Sequence, residues 1–178
     1  MAELVLTSCK LWAMVRVGPI LLLILLSACS TTGAPDRSDG GSPETQRPRE
    51  LRVERLASGA PGEGPRNPRV VVAPSAEALS RELGAQVREA GEGTYLVVYG
   101  GQRPTGGYSV GVAGARVEGD QVTVRVSQQG PPPDAMVTQS LTYPYEVSVL
   151  RGVAPGGKRF SFVNRDGQEL GWPVRRVG

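Results

Sequence analysis

Residues 107–127 read Gly-Tyr-Ser-Val-Gly-Val-Ala-Gly-Ala-Arg-Val-Glu-Gly-Asp-Gln-Val-Thr-Val-Arg-Val-Ser. Val122, Val124 and Val126 alternate with Thr123, Arg125 and Ser127, the period-two pattern of a strand that buries one face. Glu118, Gly119, Asp120 and Gln121 supply the turn of a hairpin. In the preceding strand, Gly107 to Val117, Tyr108, Val110 and Val112 share a face, but Ala115 and Val117 fall one residue out of phase with them. One extra residue near Gly114 restores the register, so a β-bulge is expected there. This hairpin places the chain among antiparallel β proteins.

The same reading extends in both directions. Upstream, Tyr95 to Tyr99 is a mostly apolar, β-rich run, and Leu51 and Val53 alternate with Arg52 and Glu54, so both segments read as strands. A Gly/Pro-rich loop from Ser58 to Pro68 leads to the short apolar run Val70 to Ala73. Ser75 can cap a helix in which Ala76, Leu79, Leu83 and Val87 form one apolar stripe; Gly84 weakens it in the middle and Gly91 is placed to end it. Downstream, Gly130 and Pro131 to Pro133 force a loop, a strand is expected around Met136 to Leu141, and another contains Tyr145, Val147 and Val149. Phe160 and Phe162 precede a turn at Asp166 and Gly167. One helix among strands joined by short turns predicts a mainly β (α+β) fold: a small antiparallel β sandwich or open barrel of about seven strands with one covering helix.

The N-terminus has a different character. Arg16 precedes an apolar run from Val17 to Ala28 in which Ile20 to Leu26 are all leucine or isoleucine, too short to span a bilayer and suited to the core of a signal peptide. An ordinary signal peptidase requires a small residue where Leu26 stands, whereas Leu26, Ser27, Ala28 and Cys29 resemble a bacterial lipobox. That resemblance implies a diacylglyceryl thioether on Cys29, acylation of the new N-terminus, and anchoring through chains that each bury about 0.8 kcal/mol per CH₂. From Ser30 to Glu50 the only apolar side chain is Ala34, so the segment is expected to be a disordered tether. The organisation predicted is a lipoprotein signal peptide over 1–28, a lipidated N-terminus and disordered linker over 29–50, and one β-rich domain over 51–178. The implied location is the bacterial cell envelope, and the outer membrane where a cell has two membranes, since Ser30 is not the aspartate that signals inner-membrane retention.

Composition removes several chemistries. The chain of 178 residues has no histidine, and its two cysteines are Cys9 and Cys29, which leaves one cysteine after signal removal. Histidine-based triads, Cys/His dyads and zinc sites have no residues to build them, and no intramolecular disulfide can form. The net charge of +3 falls to +2 when Glu3, Lys10 and Arg16 leave with the signal. Eighteen of the 20 basic residues are arginine, but no basic run interleaves with aromatics, which argues against nucleic-acid binding. Glu118, Asp120, Asp134 and Glu146 could supply a carboxylate pair, and Lys158 a Ser/Lys dyad, yet no signature places a nucleophile beside a base. The expectation is a protein without catalytic residues, metal or cofactor.

Gly100, Gly101, Gln102, Arg103, Pro104, Thr105, Gly106 and Gly107 join two apolar strands. Paired glycines permit positive φ on both sides of the rigid Pro104, and neither a following helix nor a Walker lysine supports a phosphate cradle. From the residues alone, the glycines shape a bend, Tyr108 packs inward at the start of its strand, and Pro144 occupies a strand start where no ladder N–H is needed. The alternative is recognition, because loops with specialised backbones on a rigid sheet are where small β domains place binding. On that reading the surface from Gly101 to Gly107, with the Pro131 to Pro133 loop beside it, contacts another protein.

The run Arg103-Pro104-Thr105-Gly106-Gly107-Tyr108-Ser109-Val110, followed by Leu141-Thr142-Tyr143-Pro144-Tyr145-Glu146-Val147, resembles the C-terminal domain of the PrcB family, a likeness that implies a PrcB-like core over about residues 95–150. Thr105, Gly106, Gly107 and Tyr108 match its first motif, and Tyr143, Pro144 and Tyr145 its second. The family is named for an accessory lipoprotein subunit of a secreted subtilisin-like protease complex. The resemblance therefore implies a non-catalytic domain that binds and stabilises or assembles a protein partner, a secreted protease among the candidates, and has no catalytic residues to carry over. Arg103 to Tyr108 is also similar to the Asn-Pro-Thr-Thr-Gly-Tyr loop of chagasin-like protease inhibitors, without its leading Asn and second Thr, which gives protease inhibition through residues 103–108 as an alternative. A purely structural envelope lipoprotein is a further one.

Overall fold

The computed structural model describes residues 47–178; the signal peptide expected over 1–28, Cys29 and the greater part of the linker expected over 29–50 fall outside them. Nine strands and one helix follow in order: β1 Arg49–Leu51, β2 Val53–Gly59, β3 Arg69–Ala73, α1 Ala76–Leu83, β4 Gly93–Tyr99, β5 Ser109–Glu118, β6 Gln121–Gln129, β7 Tyr145–Arg151, β8 Arg159–Val163 and β9 Val174–Arg176. They form a four-stranded sheet in the order β1-β5-β6-β8 and a five-stranded sheet in the order β2-β7-β4-β3-β9. The two sheets make a sandwich with the helix on one outer face, and among the described residues no barrel closes.

The expected hairpin is β5–β6, with Glu118 opposite Gln121. Its register shifts between Val112 and Gly114, so Ala113 is the extra residue and Val110 and Ala115 both point into the core. The sandwich interior holds Val70, Val72, Leu96, Val98, Val110, Val122, Val124, Leu150 and Phe162. A second cluster, with Val71, Leu79, Tyr95, Val97, Val147 and Val149, lies between the helix and the outer face of the five-stranded sheet. Burial on both faces is why β3 and β4 read as continuous apolar runs while β6, with one face in water, alternates; β7 is buried on both faces as well, but its alternation places Glu146 and Ser148 on the inner face.

The pairing is not wholly antiparallel as expected. β3 pairs with β9 and β6 with β8 in parallel. Between β6 and β8 the chain returns along β7 in the other sheet, and this long crossover allows the parallel approach that a tight turn forbids.

Two further expectations are corrected. The helix ends at Leu83 because Gly84 adopts φ 63°, the left-handed C-cap, after Ser75 has capped its start by accepting from the Ala78 amide. Gly84 is thus the terminator rather than a weak middle, and Gly91 is not the end of the helix. Val87 still packs on the apolar cluster, but from irregular chain, with its amide donating to the Ser80 hydroxyl at 2.9 Å. The segment Met136 to Leu141 forms no strand, and Met136 is fully exposed.

Candidate functional site

The registers give the sandwich two ends. β4 finishes, β5 begins, β6 finishes and β7 begins at the same end, called distal here; the start of β1, the β5–β6 turn and the end of β7 lie at the opposite, proximal end. At the distal end β4 hands the chain from the five-stranded sheet to β5 in the four-stranded one, through residues 100–108. β6 hands it back to β7 through residues 130–144.

These two crossings bond to each other. The Arg103 amide donates to the Thr142 carbonyl at 2.8 Å and the Thr142 amide returns a 3.0 Å bond to the Arg103 carbonyl, an isolated antiparallel bridge. The Thr142 hydroxyl donates to the Thr105 carbonyl at 2.7 Å. The Gly106 amide donates to the Thr138 carbonyl at 2.9 Å and the Gly100 amide to the Pro144 carbonyl at 2.8 Å. Loop 60–68 joins them: the Gln102 amide donates to the Arg66 carbonyl at 2.9 Å and the Tyr143 amide to the Pro61 carbonyl at 3.0 Å. Residues distant in sequence thus satisfy backbone groups of three irregular segments, among them those of the buried Gly100, Thr142 and Pro144.

Within this unit the side chains divide. The Arg103 guanidinium donates to the Gly100 carbonyl at 2.9 Å and lies 5.5 Å from the centre of the half-buried Tyr108 ring, a cation–π contact. The Thr105 hydroxyl donates to the neighbouring Gly106 carbonyl at 3.2 Å. Gly107 has φ 81°, and a Cβ there would meet the Pro131 Cβ at 2.8 Å, so the Pro131 to Pro133 loop does lie beside the first motif. Pro144 is buried. The Tyr145 ring stands 6.4 Å from that of Tyr99, tilted by 40°, and burial pushes the Tyr99 phenol above its usual pKa. Pro104, Pro132 and Pro133 are exposed.

Reading by period missed two features. Among the described residues the exposed large apolar side chains are Met136, Leu141 and Val174, two of them in the second crossing; the expected strand concealed them. The other is Glu146, a motif residue weighed only as a possible acid. It is buried, at 2% exposure, on β7. Its carboxylate accepts from the Val112 amide of β5 at 2.8 Å, from the Ser148 hydroxyl at 2.7 Å and from Arg55 Nε at 2.7 Å. β1 pairs only with Ala115 to Val117 of β5, so among the described residues the first half of β5 has no strand on that side. The carboxylate supplies the acceptor a neighbouring strand would have offered to Val112, closing an edge that invites non-native pairing. Gly111 makes the room: a Cβ there would collide with Glu146 Oε2.

The remaining carboxylates do not assemble. Glu118 and Asp120 occupy the proximal β5–β6 turn, Asp134 the distal proline loop, and Lys158 pairs with Asp120 at 3.0 Å. Among the described residues no three His, Cys, Asp or Glu side chains converge as metal ligands would.

No curated protein and no solved structure matches the chain, and the chagasin-like resemblance finds no counterpart. Residues 94–150, which run from β4 through both bonded crossings to the end of β7, match the family described as PrcB C-terminal.

Proposed function

We propose that this chain is a non-catalytic lipoprotein of the bacterial cell envelope, in the outer membrane where there are two, anchored through acylated Cys29, and that its distal crossings bind and stabilise or assemble a protein partner, a secreted protease in the first instance. The observation that carries this reading is the PrcB C-terminal match, whose span of 94–150 holds both motifs and the bonded crossings that join them. Met136 and Leu141, exposed beside the first motif, offer the apolar contact that central interface positions favour. The bonds to loop 60–68 hold the backbone in place before contact, which lowers the entropy lost on binding.

The test is co-purification of the native lipoprotein with a secreted protease encoded beside its gene. Arg103→Ala with Thr105→Ala removes a cation–π contact and two bonds to nearby carbonyls, with a stability cost of about 1 kcal/mol, or a few degrees in Tm. The expected result is an intact fold that no longer retains the protease. Retention by a folded double variant places the interface elsewhere, and unfolding assigns these two side chains to the fold.

Lipidation has its own measurement. Cys29→Ser should accumulate as an unprocessed precursor without acyl mass, read by intact-mass spectrometry of the membrane fraction. Cleavage of that variant at the wild-type position contradicts the anchor.

A further inference from the structure

The proximal end, where the chain enters from the linker, carries a second site of a different kind. Arg47, Arg49 and Lys158 surround a cleft of about 400 Å³ whose other lining residues are Val117, Gly119, Gly152, Val153, Ala154 and Gly156. Among the described residues no acidic side chain lines it. Arg49 Nη2 donates to the Gly152 carbonyl at 3.1 Å, and Lys158 Nζ donates to the Gly119 carbonyl and to Asp120 Oδ1, each at 3.0 Å. Among the described residues neither Arg47 nor Arg49 has a salt bridge. Nearby carboxylates among the described residues include Glu118 and Asp120 of the β5–β6 turn and Glu92, which lines the adjoining cleft with Gly152 to Ala154; the Asp120 side chain is 71% exposed, where water and salt weaken its hold on Lys158. Glycine at three lining positions leaves the walls without side chains, so a compact anion can approach the cations closely.

The position of the cleft identifies that anion. Arg47 follows Cys29 by 18 residues, and it enters the sandwich opposite the crossings that carry both family motifs. We propose that this cleft faces the bilayer and takes the phosphate of an anionic lipid headgroup. The inference rests on the anchoring of Cys29 proposed above. The cations seat the proximal end on the membrane, and β5, 10 residues long, then separates that surface from the distal motifs by about 33 Å. Anchor and headgroup site act together, since basic groups beside a lipid chain strengthen and orient membrane attachment.

Lys158 is the only lysine after Cys29, so its reaction with a membrane-impermeant acetylating reagent gives a single-site readout by peptide mass spectrometry. The native lipoprotein is reconstituted in vesicles of phosphatidylcholine, or of phosphatidylcholine with a minority of phosphatidylglycerol. Acetylation of Lys158 is expected to be several-fold slower on the anionic vesicles. The difference should vanish at about 1 M salt, where the screening length falls to about 3 Å, and in the Arg47→Ala, Arg49→Ala variant, whose exposed substitutions leave Tm unchanged. Equal rates on the two vesicles overturn the headgroup site while leaving the anchor intact. Equal slowing by inorganic phosphate in detergent assigns the cleft to a soluble anion and overturns it as well. Protein that fails to co-float with either vesicle overturns the anchor, and the headgroup site with it.

Discussion

Glu146→Ala is expected to cost about 3 kcal/mol of folding free energy, because it strands two donors and leaves a void. The Val112 amide and the Ser148 hydroxyl both lose their acceptor, and an unsatisfied buried donor costs about 1–3 kcal/mol. Arg55 contributes little to this loss, since its side chain is 66% exposed and returns to water. Glu146→Gln keeps the volume and one acceptor oxygen and should cost about half as much, within the range for a single buried hydrogen bond to a charged group. The partner position supplies the sharper test. Gly111→Ala would drive a Cβ into Glu146 Oε2, and the carboxylate, held by three donors, cannot rotate aside without breaking bonds. Gly111→Ala should therefore destabilise wild type strongly and the Glu146→Ala background much less, a coupling of about 1–3 kcal/mol in a double-mutant cycle by urea denaturation. Additive losses would show that Gly111 serves something other than the carboxylate.

Gly101→Ala should be the most damaging alanine substitution in the loop of the first motif. Gly101 has φ 77°, and a Cβ there would meet the Arg66 carbonyl oxygen and Pro68 Cδ at 2.9 Å and Pro68 N at 3.0 Å. The left-handed backbone alone costs a non-glycine residue about 1–2 kcal/mol. The obstacle is backbone and a proline ring, so loop 60–68 must withdraw, and the Gln102 amide loses its bond to the Arg66 carbonyl. A total of about 3 kcal/mol follows when strain and the lost bond are combined. Gly84→Ala is the control: its φ is 63°, yet nothing lies within 4 Å of the added Cβ, so only the strain remains, about 1 kcal/mol. Equal losses of Tm in the two variants would mean that close packing against loop 60–68 is not what Gly101 provides.

Gly101 and Glu146 show why part of the candidate site escaped a reading by period. A glycine-flanked turn is visible as composition, but which loop presses on it depends on residues 35 positions upstream. Met136 and Leu141 resembled a strand because apolar spacing over six residues does not reveal whether a neighbouring strand exists to accept it. In the structure the second crossing bonds to the first through Thr138 and Thr142 instead, which leaves Met136 and Leu141 exposed.

What the amino-acid sequence determined by itself is what neighbouring residues enforce on each other: the alternation of β6, the β5–β6 turn, the bulge beside Gly114, the Ser75 cap, and a mainly β class with one helix. Each depends on a few consecutive side chains and their backbone preferences, so its signal is complete within a short window. Tertiary structure alone decided that β3 and β9, and β6 and β8, run parallel, that Val87 packs on the helix-covered face without belonging to the helix, that Glu146 closes the edge of β5, and that two motifs separated by more than 30 residues form one bonded unit at the distal end. These arrangements follow from burying apolar faces while finding partners for every buried polar group. That condition is met by the whole chain at once, and no segment carries it alone.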